Sequence, residues 1–380
     1  MTIIRDGRNA TAVKDFAIVG VGGAGARTAS ELSRVLGNPD DVIAVDREMD
    51  DLRLVNVGRR ISIGYPMFTR ETGGIEDDEY VDKNDLFRLK TLIGKAPIVF
   101  VLAGLGGATT VEILPAVLRT AMSTGATVLA IVTMPFAFEG RTRSNTAGVA
   151  LQRVRNTGCS LALIDGDNAL SSASIAGDLA SELSAAKARV VMNVLSASNA
   201  ESSGTLNSAP ELLDAIKCGG ETLISYAASE DVSEYRKVAR DAIKTPITSG
   251  LDLSDADFVS VIVAGPHDMS IKVLNSAIAV VQKELPQKAV LSTSFIPNGD
   301  SRKANRLRIS ILAGMRAGTE EIEAESPIRA DVEQGFNLVG NESCVPIVAE
   351  PAGDVIDDLF GAPDWLVDRP SEKSRVPALL

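Results

Sequence analysis

Gly20-Val21-Gly22-Gly23-Ala24-Gly25 follows a short apolar run and precedes a stretch with helical periodicity. Glycines after a strand let the main chain come close to an anion. The free N–H groups that open a helix can then donate to it, so the chemistry this spacing suits is phosphate binding. A second loop, Ala103-Gly104-Leu105-Gly106-Gly107-Ala108-Thr109-Thr110, repeats the arrangement after another apolar run. A third segment runs from Thr133 through Pro135 to Arg143. Its Glu139 can accept from sugar hydroxyls and its Arg143 can pair with an anionic group. Each glycine loop alone is also what an ordinary turn looks like. Three in succession at strand ends point to one ligand site.

Gly20, Gly22 and Gly25 also satisfy a dinucleotide fingerprint, and Asp46 ends the next strand about 20 residues on, where a ribose-binding acid would stand. Asp46 could equally cap a helix. The dinucleotide reading would make the chain a nicotinamide-dependent oxidoreductase. It does not explain the second glycine loop, and the only histidine available as a proton donor is His267.

The loops need elements to hold them. Apolar runs of strand length occur at 16–20, 42–45, 60–63, 97–102, 126–132 and 159–164, with helices to about Leu36 and over 110–124. Strand alternating with helix predicts an α/β fold built on a doubly wound parallel sheet. A long alanine-rich helix is predicted from about Ile175 to Ser196, with a polar loop over 197–206. A smaller α/β unit follows, with helices at 211–216, 231–243 and 271–285 and strands at 258–264, 290–295 and 307–312. Aromatic residues make up 4% of the 380-residue chain, so its cores must be aliphatic. The formal net charge is −12, and residues 317–370 hold thirteen acids opposed by Arg329 and Arg369 alone. A near-neutral body with an acidic tail excludes the basic face that nucleic-acid binding requires and favours self-association. No apolar run reaches the ~20 residues that cross a bilayer. The polar stretch from Met1 to Lys14 reads as neither signal peptide nor lipid anchor, so a cytoplasmic protein without direct membrane insertion is expected. Cys159, Cys218 and Cys344 are too scattered for a disulfide framework or a metal cluster, and no metal site is expected.

Over residues 14–316 the chain resembles the FtsZ/tubulin family. GVGGAGAR (Gly20 to Arg27) looks like that family's first phosphate loop, with Ala26 and Arg27 closing it. AGLGGATT sits where the family signature lies, and PFAFEGRTR looks like its sugar-binding loop. VIVAGPHDM (Val261 to Met269) looks like the strand that opens its activation domain. The resemblance implies a nucleotide-binding set of Gly20, Gly22, Gly23, Ala24, Gly25, Ala26, Arg27, Asp46, Gly73, Gly74, Gly104, Gly106, Gly107, Ala108, Thr109, Thr110, Pro135, Glu139, Arg143, Asp167 and Asn168. The ligand it implies is GTP or GDP, with Mg2+ as a companion ion. It further implies a head-to-tail homopolymer in which a loop after the central helix reaches the neighbour's nucleotide and activates water.

The chain departs from that pattern. In the signature, Ala108, Thr110 and Glu112 stand where the family has glycine, and added side chains restrict how closely the backbone approaches phosphate. Glu112 either faces the site, against a polyanion, or stabilises a helix N-terminus. Gly204 to Asn207 keeps the loop pattern, but Ala209 and Leu212 stand where two acids belong. Asn207, with Glu211 or Asp214 presented by a loop shift, is the catalytic set that can be named. Without a positioned acid, water activation loses a factor on the order of 10²–10⁴. Arg27 replaces the usual Asn, and Ala186 to Arg189 on the central helix lacks the acid that holds guanine.

The expected organisation is an N-terminal extension (1–13), a nucleotide-binding domain (14–174), a central helix and loop (175–206), an activation domain (207–316) and a disordered acidic tail (317–380). Within the tail, Phe360, Trp365 and Leu366 lie in an apolar-acidic element near 355–368. A large aromatic with nothing local to bury against marks a docking peptide, here for a membrane-linked adaptor that would bring the protein to the inner face of the membrane. The functional expectation is an FtsZ-like cytoskeletal filament in division, cell shape or membrane remodelling, with slow or absent hydrolysis. A non-polymerising nucleotide-binding regulator on the same fold is the alternative.

Overall fold

Runs such as Ala17–Val21 and Val42–Asp46 are apolar at nearly every position and buried along their whole length, as strands covered by helices on both faces must be. The computed structural model describes residues 16–37, 39–64, 81–167, 179–199, 216, 219–297 and 305–314. In chain order the elements are β1 (Ala17–Val21), α1 (Gly22–Leu36), β2 (Val42–Asp46), α2 (Met49–Arg53), β3 (Arg59–Ser62), α3 (Lys83–Ile93), β4 (Ile98–Gly104), α4 (Ala108–Met122), β5 (Thr127–Thr133), α5 (Arg141–Arg155) and β6 (Ser160–Ile164). The chain continues through α6 (Leu179–Asn199), β7 (Gly220–Ser229), α7 (Tyr235–Lys244), β8 (Phe258–Gly265), α8 (Ile271–Gln282), β9 (Val290–Pro297) and β10 (Leu307–Gly314).

The strands form one ten-stranded sheet in the order β3-β2-β1-β4-β5-β6-β7-β10-β8-β9. The first six are parallel throughout. Alternate residues of each strand feed opposite layers. Ile98, Phe100 and Leu102 of β4 face the core shared with α1 and α6. Val99, Val101 and Ala103 face the core shared with α3, α4 and α5. A third core joins β8 and β10 to α7 and α8.

The smaller unit was expected as a separate domain joined through the long helix, yet the sheet runs on into it. The joint is narrow: β7 is parallel to β6 only at Ser160↔Gly220 and Leu161↔Glu221, then runs antiparallel to β10 over Thr222 to Ser229. An Arg155–Glu221 ion pair crosses the joint.

Four elements escaped the sequence reading, the short α2 among them. α5 is polar on most of its surface, but Ala147, Ala150, Leu151 and Val154 are buried at the helical spacing that would have revealed it. α3 opens on Asp82, whose carboxylate accepts from Asn84 N–H at 2.7 Å, a cap readable in the sequence. β7 carries only Leu223-Ile224 as an apolar pair, so its alternation is weak. Pro115 lies in the middle of α4, not near its start. A proline there leaves the carbonyl four residues earlier without its helical donor, and Arg153 Nη1 from α5 donates to that carbonyl, Val111 O, at 3.2 Å.

The predicted helix at 211–216 lies outside the described residues except for Ile216. The N-terminal extension, most of the loop after α6 and the tail also lie outside them. No helix among the described residues is long and apolar enough to cross a membrane.

Candidate functional site

Three helices begin at the carboxyl ends of adjacent strands. α1 follows β1, α4 follows β4, and α5 follows β5 after a short turn (Ala137–Glu139). Their N-cap residues are Val21, Gly107 and Gly140, and none has a side-chain cap bond. Of the other described helices, α2 and α7 also lack a side-chain cap, while α3 and α8 have one. Asp82 caps α3, and the Ser270 hydroxyl accepts from Lys272 N–H on α8 at 3.3 Å. The first N–H groups of a helix need partners, and the three uncapped starts converge on one edge of the sheet.

The glycines of the first loop divide into two kinds. Gly20 and Gly25 are there for packing. A Cβ on Gly25 would fall on the Leu102 carbonyl oxygen, and one on Gly20 would meet Ala29 Cβ at 2.7 Å. They let α1 seat directly on β1 and β4. Gly23 and Ala24 are exposed, with nothing within 4 Å of a Cβ on Gly23. Ala26 is buried and Arg27 exposed.

The second loop closes against the first. Gly22 has φ 70° and its Cβ position lies 3.4 Å from Thr110 Cγ2, while a Cβ on Gly104 would come within 2.8 Å of Ala24. Ala108 is exposed and Gly106 and Gly107 are half-buried. Thr110 turns its hydroxyl to the Gly107 carbonyl at 2.8 Å. The Thr109 hydroxyl donates to Asp46 Oδ1 at 3.3 Å, and Arg47 N–H donates to the same oxygen at 2.7 Å. Asp46 is 3% exposed, so its carboxylate braces the signature loop. It caps no helix; α2 begins after Glu48.

The third segment is braced in the same way. Glu139 accepts from Phe136 N–H at 2.8 Å through Oε1 and pairs with Arg143 Nε at 2.9 Å through Oε2. Arg143 Cγ lies 2.7 Å from a Cβ placed on Gly106, which has φ 100°. Asp167 accepts from Ala137 N–H at 3.3 Å, and the Phe136 and Phe138 rings stack 5.0 Å apart. Pro135 is half-buried and Phe138 is 68% exposed.

Glu112 resolves toward neither expectation in simple form. It stands in the second turn of α4, and Arg47 Nη2 holds it at 2.7 Å and Nε at 2.9 Å. Arg47 was not foreseen, because nothing local marks an arginine after a strand. Behind the first loop, α1 packs on α6 through a charged seam. Lys187 is 2% exposed, and burial pushes its ammonium down to about 8 despite the nearby Glu31 carboxylate. Burial also raises the Glu31 carboxyl, against the Ser184 hydroxyl 2.5 Å away and the Lys187 and Arg27 charges. His267 is exposed in the turn after β8. No group of His, Cys, Asp and Glu among the described residues could hold a metal ion. Gly73, Gly74, Asn168, Asn207, Glu211, Asp214, Phe360, Trp365 and Leu366 lie outside the described residues.

Residues 16–174 match the GTPase domain of the Tubulin/FtsZ family. Cell division protein FtsZ 1 of Pyrococcus horikoshii is 25% identical over 327 residues, covering 83% of this chain and 85% of its own. CetZ2 from Haloferax volcanii, solved as a GTPγS-bound protofilament, is 25% identical with a TM-score of 0.63 over 81% of this chain and 95% of that one. The FtsZ dimer of M. jannaschii superposes with a TM-score of 0.63 at 21% identity over 79% of this chain and 88% of that one. The loops, the sheet and these likenesses agree: residues 16–174 carry a GTPase domain of the Tubulin/FtsZ family, and over about four-fifths of its length the chain is similar to FtsZ and CetZ proteins.

Proposed function

We propose that the chain is a cytoskeletal protein that binds GTP or GDP at the carboxyl ends of β1, β4 and β5 and assembles head to tail with copies of itself. The observation that carries this is the convergence of three helix starts without side-chain caps, those of α1, α4 and α5, at the carboxyl ends of the adjacent parallel strands β1, β4 and β5. Unfilled N–H groups and aligned helix dipoles suit a polyphosphate. Gly23, Ala24, Gly107 and Ala108 would present main-chain donors to it, with the Glu139–Arg143 loop toward the sugar. Bound GTP would supply an activated phosphoanhydride, and Mg2+ would share its charge.

The assembly reading draws on the relatives: one is solved as a protofilament, and others are named for cell division. Cell division, cell shape and membrane remodelling are the processes it would serve. Slow or absent turnover follows from Ala209 and Leu212 in the loop after α6, which leave water activation to Asn207 with Glu211 or Asp214. The peptide around Phe360, Trp365 and Leu366 would dock a membrane-linked adaptor.

The test is phosphate release from GTP against protein concentration, with light scattering and pelleting in parallel. Scattering with turnover above a threshold concentration assigns catalysis to the loop acids. Scattering without turnover gives a binding-driven switch. A monomer at every concentration, with nucleotide bound, would replace the filament with a nucleotide-binding regulator.

A further inference from the structure

Glu112 stands one turn after Thr109 on α4, toward the end of β2. A carboxylate there lies beside two uncapped helix starts and, left alone, would repel a phosphate between them. Arg47 answers it. Its Nη2 and Nε both converge on Glu112 Oε2, at 2.7 and 2.9 Å, with the two side chains 11% and 32% exposed. These two donors on the side edge of the guanidinium share one oxygen, whereas guanidinium binds oxyanions most firmly through a fork of two parallel bonds.

The main chain beneath Arg47 is held on both sides. Its N–H donates to Asp46 Oδ1 at 2.7 Å, and its carbonyl accepts from the Ser62 hydroxyl at 2.8 Å. Asp46 in turn holds Thr109, in the first turn of α4. Arg47 is therefore fixed relative to the helix start whose donors face the ligand.

The sheet order decides which part of a ligand it would meet. Strands run β2-β1-β4-β5, so the Glu139–Arg143 loop after β5 and Arg47 after β2 stand three strand spacings apart, about 14 Å. A nucleotide with its sugar at the β5 side and its phosphates across α4 and α1 points its terminal phosphate toward β2.

We propose that Arg47 is a phosphate-binding residue, held by Glu112 when no ligand is bound and shared with the terminal phosphate of a nucleoside triphosphate. It thereby distinguishes triphosphate from diphosphate. This rests on the nucleotide-binding reading above and adds to it a residue and the ligand feature that the residue reads. It also gives the substituted signature loop a side-chain donor where Ala108 and Thr110 limit close approach of the backbone.

The test measures affinity for GTPγS and for GDP in the full chain, with melting temperature recorded for each variant. Arg47→Gln is expected to lose about 10- to 100-fold on the triphosphate and less than about threefold on the diphosphate. Glu112→Gln, which removes the competing charge, keeps or gains triphosphate affinity. The swap R47E/E112R rebuilds the ion pair in reverse, so it melts near the wild type while still lacking the triphosphate preference. Should the swap recover that preference, the pair is a strut and the proposal is wrong. Equal loss on both nucleotides in Arg47→Gln, or no loss, overturns it as well. A wild-type chain that binds neither nucleotide removes the functional reading itself, whereas a binding wild type with an indifferent Arg47→Gln removes this inference alone.

Discussion

The Thr109 hydroxyl donates to Asp46 Oδ1 at 3.3 Å, tying the first turn of α4 to the end of β2 across 63 residues of chain. The same oxygen accepts from Arg47 N–H. Asp46→Ala strips both donors of their acceptor in a buried place and is expected to cost about 1–3 kcal/mol. Thr109→Val removes one donor and should cost about 1 kcal/mol. Urea unfolding of the two variants checks this; equal losses would mean that the bond to Arg47 N–H contributes nothing.

Gly25→Ala and Gly23→Ala separate packing from ligand contact. The added methyl at position 25 lands on a main-chain carbonyl, that of Leu102, which cannot move without lifting α1 from β4. A loss of about 3 kcal/mol or failure to fold is expected. The methyl at position 23 meets nothing within 4 Å, so Gly23→Ala should fold as well as the wild type or gain up to about 1 kcal/mol from helix propensity. Its effect should appear in nucleotide affinity. Thermal melts and a nucleotide titration on both variants decide the matter.

Arg153 supplies the donor that Pro115 cannot. Arg153→Met keeps most of the apolar stem and leaves the Val111 carbonyl without its guanidinium donor, at an expected cost of about 1–3 kcal/mol. In Pro115→Ala the helix recovers its own bond. The double variant should then lose less than Arg153→Met alone, a coupling measurable by a thermodynamic cycle.

Lys187 gives stability a dependence on alkaline pH. Its folded ammonium titrates near 8, below the ordinary lysine value of 10.5, because it is buried. Between those values the unfolded chain holds a proton that the folded chain has released, so this residue makes stability rise with pH. Cys159 works the other way above 9, where burial holds its thiol up to about 11 and the unfolded chain is the one to lose a proton. The clean window is pH 8 to 9. Wild-type stability from urea melts should carry a rising contribution there that Lys187→Met lacks. Identical slopes in the two proteins would refute the assignment.

The parallel half of the fold was legible because continuous apolar runs bounded by glycine leave little choice between strand and turn. The glycine loops were legible as loops, and the roles of individual residues were not. Glu139, read as an acceptor for a sugar, also closes its own turn, and its spacings to Phe136 and Arg143, three back and four on, already described that second role. Arg47 could not be foreseen, since its partner Glu112 lies 65 residues away and only the sheet order brings them together. β7 was lost because a strand that spans a joint between two cores faces different neighbours along its length, so no single alternation describes it.

The division of labour among the first-loop glycines bears on how such chains diverge. Gly20 and Gly25 are held in place by the seat of α1 on the sheet, whatever the pocket contains. A descendant that had abandoned its nucleotide altogether would still be selected to keep them, on pain of unfolding. The positions at liberty to drift are those pointing outward, Gly23, Ala24 and Ala108. In a lineage of this kind, the loss of a ligand would be written first in the exposed residues of the loops, long after which the fingerprint glycines would still be there to suggest it.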